Sequence, residues 1–259
     1  MKRIGTATAP ASYYDHDGIT IYNANCRDIL PKLGPVDLVL TDPPYGHNNN
    51  NSGDLISRWE AALGLGDYVP ERDNRPIAND DPESCSELIQ WFFSELPRLL
   101  NPGACCCCCG GGGGPDPQFA RWSLWLDAHV PFKMCIIWDK GPLGMGWHYR
   151  RDWECILVAQ KGGKKITWNG GNTTSNIIRD IPRIIPRSDQ HPTPKPIKLM
   201  SRFISWHTNP GDTVLDPFMG CGPTLIAAKN LGRKAIGIEI SKEYCDIAVE
   251  RLKQCALKF

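Results

Sequence analysis

Apolar blocks separated by polar punctuation run along this chain, and the spacing inside each block predicts its element. Ile19-Thr20-Ile21-Tyr22 is a short strand, and residues 1–18 before it carry no period and read as an arm or edge structure. Asn25 can cap a helix over 26–33, which Gly34-Pro35 stops. Val36-Asp37-Leu38-Val39-Leu40 is rich in strand formers and runs into Thr41-Asp42-Pro43-Pro44-Tyr45-Gly46. Leu88, Trp91, Phe92, Leu96 and Leu99 recur at helical spacing over 84–100, and Pro97 should kink or end that helix. Asn101-Pro102-Gly103 reads as a turn, 104–109 as a buried strand and 110–115 as a loop. A helix over 119–129 follows. Strands over 133–138 and 154–160 flank a Gly-rich turn at 141–146, which predicts a hairpin. Near the end, a strand over 213–216, a loop, a helix over 225–231 stopped by Gly232, and a strand over 234–238 form a β-loop-α-β unit. Ser241 then caps a last helix with Tyr244, Ile247, Ala248 and Leu252 on one face.

Two segments break this pattern. Residues 47–84 are weakly periodic and mostly acidic, and include Asn48 to Asn51, Trp59 and Tyr68. They read as a lid or binding loop, or equally as a surface insert. Residues 161–202 hold nine Lys or Arg against two Asp, with Trp168, Asn169, Asn172, Asn176 and Gln190 interspersed. A basic, amide-rich, aperiodic stretch is the expected footprint of a nucleic-acid contact surface, and a solvated surface loop is the plainer alternative.

Composition adds bounds. The chain has 259 residues, 41% of them hydrophobic, which suits one large domain. The net charge of +1 gives no global field. The sequence contains no run of membrane-spanning length and no apolar signal core after Met1-Lys2-Arg3, so a cytoplasmic protein without a membrane partner is expected. Of twelve cysteines, five are consecutive, Cys105 to Cys109. Adjacent strand residues point to opposite faces, and Cys-x-x-Cys spacing does not occur outside the run, so reduced thiols and no metal are expected.

Candidate chemistry gathers at two strand ends. Neither proline of Asp42-Pro43-Pro44-Tyr45 can donate to a ladder, and their fixed φ angles set where the carbonyls point. A carboxylate, rigid acceptors and an aromatic ring converge there, as a site for a planar group with an exocyclic amine would require. Downstream, Asp216-Pro217-Phe218-Met219-Gly220-Cys221-Gly222-Pro223-Thr224 joins a strand to a helix, with Glu239 at the tip of the next strand. The glycines let a ligand approach the backbone, Pro223 suits a first helical turn, and Glu239 can hold ribose hydroxyls. The position of a third dinucleotide-fingerprint glycine is Leu225, which disfavours a pyrophosphate. Asp216 suits a ligand with a cationic end, such as S-adenosylmethionine.

On these residues the chain resembles the permuted β group of DNA amino-methyltransferases. Asp42-Pro43-Pro44-Tyr45 comes first, His191-Pro192-Thr193-Pro194-Lys195-Pro196 later, and the Asp216 to Thr224 loop last, in that group's order. Weaker matches are Asn101-Pro102-Gly103, Gly144-Met145-Gly146, Tyr149-Arg150-Arg151 and Lys161-Gly162. The resemblance spans about residues 19–254. Two departures stand out: Pro223 is inserted before Thr224, and Ala24-Asn25 replaces the family's frequent Gly-Asp.

The resemblance implies a class I methyltransferase fold over 1–259, Rossmann-like in permuted order. A seven-stranded, mostly parallel sheet would carry helices on both faces, with an inserted loop at 47–84 and a basic target-recognition region at 161–190. It implies methyl transfer from S-adenosylmethionine to the N6 amine of adenine in double-stranded DNA, leaving S-adenosylhomocysteine. Asp42, Pro43, Pro44 and Tyr45 would be catalytic. Asp216, Phe218, Gly220, Gly222, Thr224 and Glu239 would hold the cofactor, Thr193 and Lys195 its methionine end, and Asn25 its adenine amine. A homodimer is a family-level expectation, as is a prokaryotic or phage origin, with or without a partner restriction nuclease. Cytosine-N4 methylation is the nearest alternative. RNA or protein-amide methylation and a nucleotide-linked oxidoreductase stand further off. The two motifs should line one cleft.

Overall fold

The strand that ends at the first motif lies in the middle of the sheet. In a computed structural model that describes residues 11–46, 77–111, 118–141, 152–163, 165–184 and 195–255, β3 (Val36–Thr41) is flanked on both sides by parallel neighbours. Leu38, Val39 and Leu40 are fully buried, because both faces of a central parallel strand are covered.

The other strands among the described residues are β1 (Tyr14–His16), β2 (Ile19–Asn23), β4 (Leu100–Gly111), β5 (Phe132–Asp139), β6 (Trp153–Gln160), β7 (Ile177–Ile178), β8 (Thr213–Asp216) and β9 (Lys234–Glu239). They form one sheet in the order β1-β2-β9-β8-β3-β4-β6-β5-β7. β6 runs antiparallel to both its neighbours and β1 antiparallel to β2, while the remaining pairs are parallel. The sheet therefore has nine strands, not seven. The additions are the shortest strands, three residues and two, one at each edge. β1 folds back through Asp17-Gly18, whose φ angles of 52° and 75° suit the tight turn that matches strand twist. Such short edges limit pairing with other chains.

The helices among the described residues are α1 (Cys26–Ile29), α2 (Pro82–Leu99), α3 (Gln118–Asp127), α4 (Ile197–His207), α5 (Pro223–Asn230) and α6 (Lys242–Cys255). A 3-10 turn, Leu30–Lys32, continues α1 and replaces the longer predicted helix, since Pro31 interrupts the α ladder. Two cores sit on opposite sheet faces. Residues of α4, α5 and α6 fill one, and residues of α1, α2 and α3 the other. The cysteine run is a section of β4: Cys105, Cys107 and Cys109 face the first core, Cys106 and Cys108 the second. All five serve as small buried hydrophobes. Burial pushes their thiols up, Cys105 to about 11.

Three boundaries differ from the sequence reading. α2 begins at Pro82, where Asp81 Oδ1 accepts from Ser84 N at 2.9 Å. It passes Pro97 and reaches Leu99, because the proline falls in the last turn and Leu100 N still bonds Leu96 O. Asn101-Pro102-Gly103 is a bulge within β4 rather than a turn: the register jumps from Val36 opposite Leu100 to Leu38 opposite Cys105. Gly103 has φ 90°, and a Cβ there would collide with the Lys165 carbonyl. β4 also extends through Gly111, past the predicted loop start. The β5–β6 pairing is the predicted hairpin, and its turn lies outside the described residues. Among the described residues no helix is long and apolar enough to cross a membrane.

Candidate active site

The chain leaves β3 to one side for β4, while β8 lies on the other. That reversal of strand order opens a crevice at the strands' C-terminal ends. Asp42 emerges there from β3 and Asp216 from β8, and both line one cleft of about 340 Å3. Lys195, Phe218, Gly220 and Thr224 complete its working wall. Thr41 Oγ1 donates to Asp216 Oδ1 at 2.6 Å, so the two motifs are joined by a direct bond.

The first motif is pinned from behind. Asp80 Oδ1 accepts from Tyr45 N and Gly46 N, both at 2.9 Å. The Cys85 thiol donates to Pro44 O at 3.1 Å, and Gln118 Nε2 donates to Tyr45 O. Pro43 is buried, and the Tyr45 ring packs edge-on to Trp122 with centroids 6.1 Å apart. Asp80, Cys85 and Gln118 come from the approach to α2, from α2 itself and from α3. None lies in a recognisable motif.

The Asp42 carboxylate is already engaged. Tyr45 OH donates to its Oδ1 at 2.7 Å and Lys195 Nζ to its Oδ2 at 2.7 Å. The Lys195 ammonium also lies 3.2 Å from Tyr45 OH, 5.2 Å from the Tyr45 ring centroid and 3.2 Å from Glu154 Oε2. Lys140 Nζ donates to Glu154 Oε1 at 2.8 Å. Two ammoniums and two carboxylates thus alternate in a line from Lys140 to Asp42. Burial pushes the Asp42 carboxyl up, against the pull of Lys195. Burial also opposes the charge on Lys195, but Asp42 and Glu154 outweigh it and hold the ammonium above the ordinary lysine range. Glu154 is held below its ordinary range, because Lys195 and Lys140 outweigh its burial. Glu154 escaped the sequence reading; its only signal there is a carboxylate at the head of an apolar strand.

The second motif forms the facing wall. Gly220 and Gly222 have φ of 50° and 76°, and α5 starts directly at Pro223. Phe218 is wedged edge-on against Phe92, 5.4 Å between centroids. Arg251 Nη1 donates to Cys221 O at 2.7 Å, fixing the loop from α6. Asp216 is 2% exposed and also accepts from Phe218 N at 3.2 Å. Burial raises its carboxyl to about 6, against bonds from Thr224, Thr41 and Phe218. Glu239 Oε2 accepts from Gly220 N at 3.0 Å and Oε1 from Ser241 N at 2.8 Å. Burial raises it to about 7. Each of its oxygens keeps a second lone pair for a hydroxyl donor.

Three further expectations meet different outcomes. Asn25 lies two residues beyond β2, and its Oδ1 caps α1 through Arg27 N at 3.0 Å, while it is not among the cleft-lining residues. Lys195 lines the cleft, but its ammonium turns to Asp42. Thr193, like 185–194 as a whole, lies outside the described residues. In the basic stretch, Asn169 Nδ2 donates to Thr208 O at 2.8 Å and Asn176 Nδ2 to Cys135 O at 3.4 Å, so these amides tie the segment down. Lys161 donates to Pro97 O and Leu100 O, and Arg202 forks onto Asp180.

The family model for N6 and N4 methyltransferases, described as DNA methylase, matches residues 36–250, which include both motifs and Glu154. The chain belongs to this DNA methylase family. Among its relatives is the type II methyltransferase M2.DpnII of Streptococcus pneumoniae, 52% identical over 93% of this chain and 92% of the relative. The DNA adenine methyltransferase YhdJ of Escherichia coli is 28% identical over 92% and 84%. Among solved structures, the M1.HpyAVI complex with S-adenosylmethionine (SAM) superposes with a TM-score of 0.64 at 28% identity, over 90% of this chain and 98% of that one. The cytosine-N4-specific PvuII DNA methyltransferase has the same fold, with a TM-score of 0.65 at 17% identity over 92% and 90%. This methylase is thus a class I-like DNA methyltransferase with two added edge strands.

Proposed function

We propose that the chain transfers a methyl group from S-adenosylmethionine to the N6 amine of adenine in double-stranded DNA. The observation that carries this reading is the single cleft holding both Asp42 and Asp216, bridged by Thr41. The second wall suits the cofactor: a buried carboxylate faces a cationic end, Gly220 lines the cleft without a side chain, and Glu239 offers acceptors for a ribose, while Gly222 makes room for Ala248 of α6 instead. When bound, the cofactor supplies an electrophilic methyl on sulfonium sulfur.

The residues of the chain prepare the nucleophile. An exocyclic amine is a poor nucleophile because its lone pair is delocalised into the ring. Asp42 and the Pro43 carbonyl accept its two N–H bonds, which restores density to nitrogen. Tyr45 stacks on the base, and Pro44 holds the turn. With the cofactor bound, Asp42 would hold the amine nitrogen in line with the methyl it supplies, and the proton nitrogen loses would leave through the Asp42 carboxylate. Alignment supplies much of the acceleration, and the carboxylate and π face stabilise the positive charge. A base inside the duplex cannot reach Asp42, so it must be extruded. The exposed Arg179 and Arg183 follow β7 at the cleft end of the sheet and are the cations offered to DNA. Aspartate at the first motif position and the resemblance to YhdJ favour adenine over cytosine.

The test is to methylate duplex DNA with labelled cofactor, digest it and identify the nucleoside. N6-methyladenine is expected, and N4-methylcytosine or unmodified DNA would overturn the reading. Asp42→Ala should abolish transfer while leaving cofactor affinity within about twofold.

A further inference from the structure

Lys195 stands where the target base has to go. It bonds one oxygen of Asp42 and lies over the face of Tyr45. A flipped base needs that oxygen for its amine and that ring for stacking. A fixed ammonium would also draw density out of the carboxylate and repel the charge that grows on the methylated nitrogen. Lys195 must therefore withdraw. Its side chain is 7% exposed, so it cannot withdraw to water, and a buried ammonium without a counter-charge is strongly disfavoured.

Glu154 supplies the other place. Its Oε2 is buried and has no hydrogen-bond partner among the described residues, although the Lys195 ammonium is only 3.2 Å away. Its Oε1 is anchored by Lys140 at 2.8 Å. A displacement of about a bond length thus carries Lys195 from one carboxylate to the other without leaving it unpaired. We propose that Glu154 is a positioning residue that draws Lys195 off Asp42 and Tyr45 when the target base enters. The free chain keeps its catalytic carboxylate covered, and base entry exchanges one ion pair for another. Lys140 competes with Lys195 for Glu154 and so restrains the exchange. The inference rests on the methyltransferase reading above.

The two neighbours of Lys195 therefore give variants of opposite sign. Single-turnover methylation is measured at saturating cofactor and DNA, with cofactor affinity measured separately. Glu154→Gln should lower the transfer rate tenfold or more, with cofactor affinity changed less than about twofold, and Glu154→Asp should recover part of the loss. Lys140→Met leaves Glu154 to Lys195 alone and should raise the rate about threefold. A network that merely holds the fold would lose rate in both variants. Parallel losses, a wild-type rate in Glu154→Gln, or a loss confined to cofactor affinity would overturn the proposal. If Glu154→Gln does not fold, Glu154→Asp and Lys140→Met carry the same test of sign. A wild-type chain that methylates nothing would instead overturn the function itself, so it is assayed first.

Discussion

At the scale of single residues, the buried carboxylates Asp216 and Glu239 give stability and the proposed cofactor binding opposed pH dependences. Burial raises Asp216 to about 6 and Glu239 to about 7. A carboxyl raised by folding holds its proton more tightly in the folded state. Its stabilising contribution is complete below its unfolded value, near 4, and is lost as pH rises through the raised one. The free protein should thus lose stability from these groups between about pH 4 and 7, and Glu239→Gln should flatten that decline in thermal denaturation. Cofactor binding should run the other way, because the cationic end favours ionised Asp216. Calorimetry should find affinity rising between pH 5 and 7.5, with Asp216→Asn weaker at neutral pH and insensitive to pH over that range.

At the scale of elements, the loop from Asp42 to Gly46 owes its shape to what stands behind it. Asp80 receives two successive backbone N–H groups at the point where the prolines end β3. Asp80→Ala removes that acceptor and should cost about 1–3 kcal/mol of stability by denaturant melts. It should also slow transfer, and Asp80→Asn, which keeps an acceptor oxygen, should restore most of both. This support was not legible in the sequence, since an aspartate before a helix cap looks like ordinary loop chemistry. The central strands were legible, because apolar runs ending in Pro-Pro or Gly-x-Gly have few other readings, whereas the two-residue β7 inside the basic stretch was not. Glu154 was hidden because its partners, Lys195 and Lys140, meet it only through the sheet. Asn101-Pro102-Gly103 misled for a related reason: turn-forming residues also form a bulge when strands continue on either side. The basic stretch was legible as charge but not as allocation, since Lys161, Lys195 and Arg202 are spent within the fold.

At the scale of the whole molecule, the proposed function predicts that DNA meets the cleft beside Arg179 and Arg183, of which Arg179 has only an exposed partner, Asp139, at 3.9 Å. Replacing Arg179 and Arg183 together by alanine should weaken duplex binding across sequences. It should also shallow the dependence of log K on log salt by up to about 0.9 for each phosphate no longer neutralised. Fluorescence anisotropy titrations at several salt concentrations measure both. The substituted enzyme should still bind cofactor normally, since neither residue lines the cleft.

The bond from Thr41 to Asp216 spans 175 positions of sequence. A ribosome therefore releases the catalytic strand long before the strand beside it exists. Until β8 has emerged and slotted in, the growing polypeptide has only one wall of its cleft, so a copy that stops short of β8 cannot assemble the other.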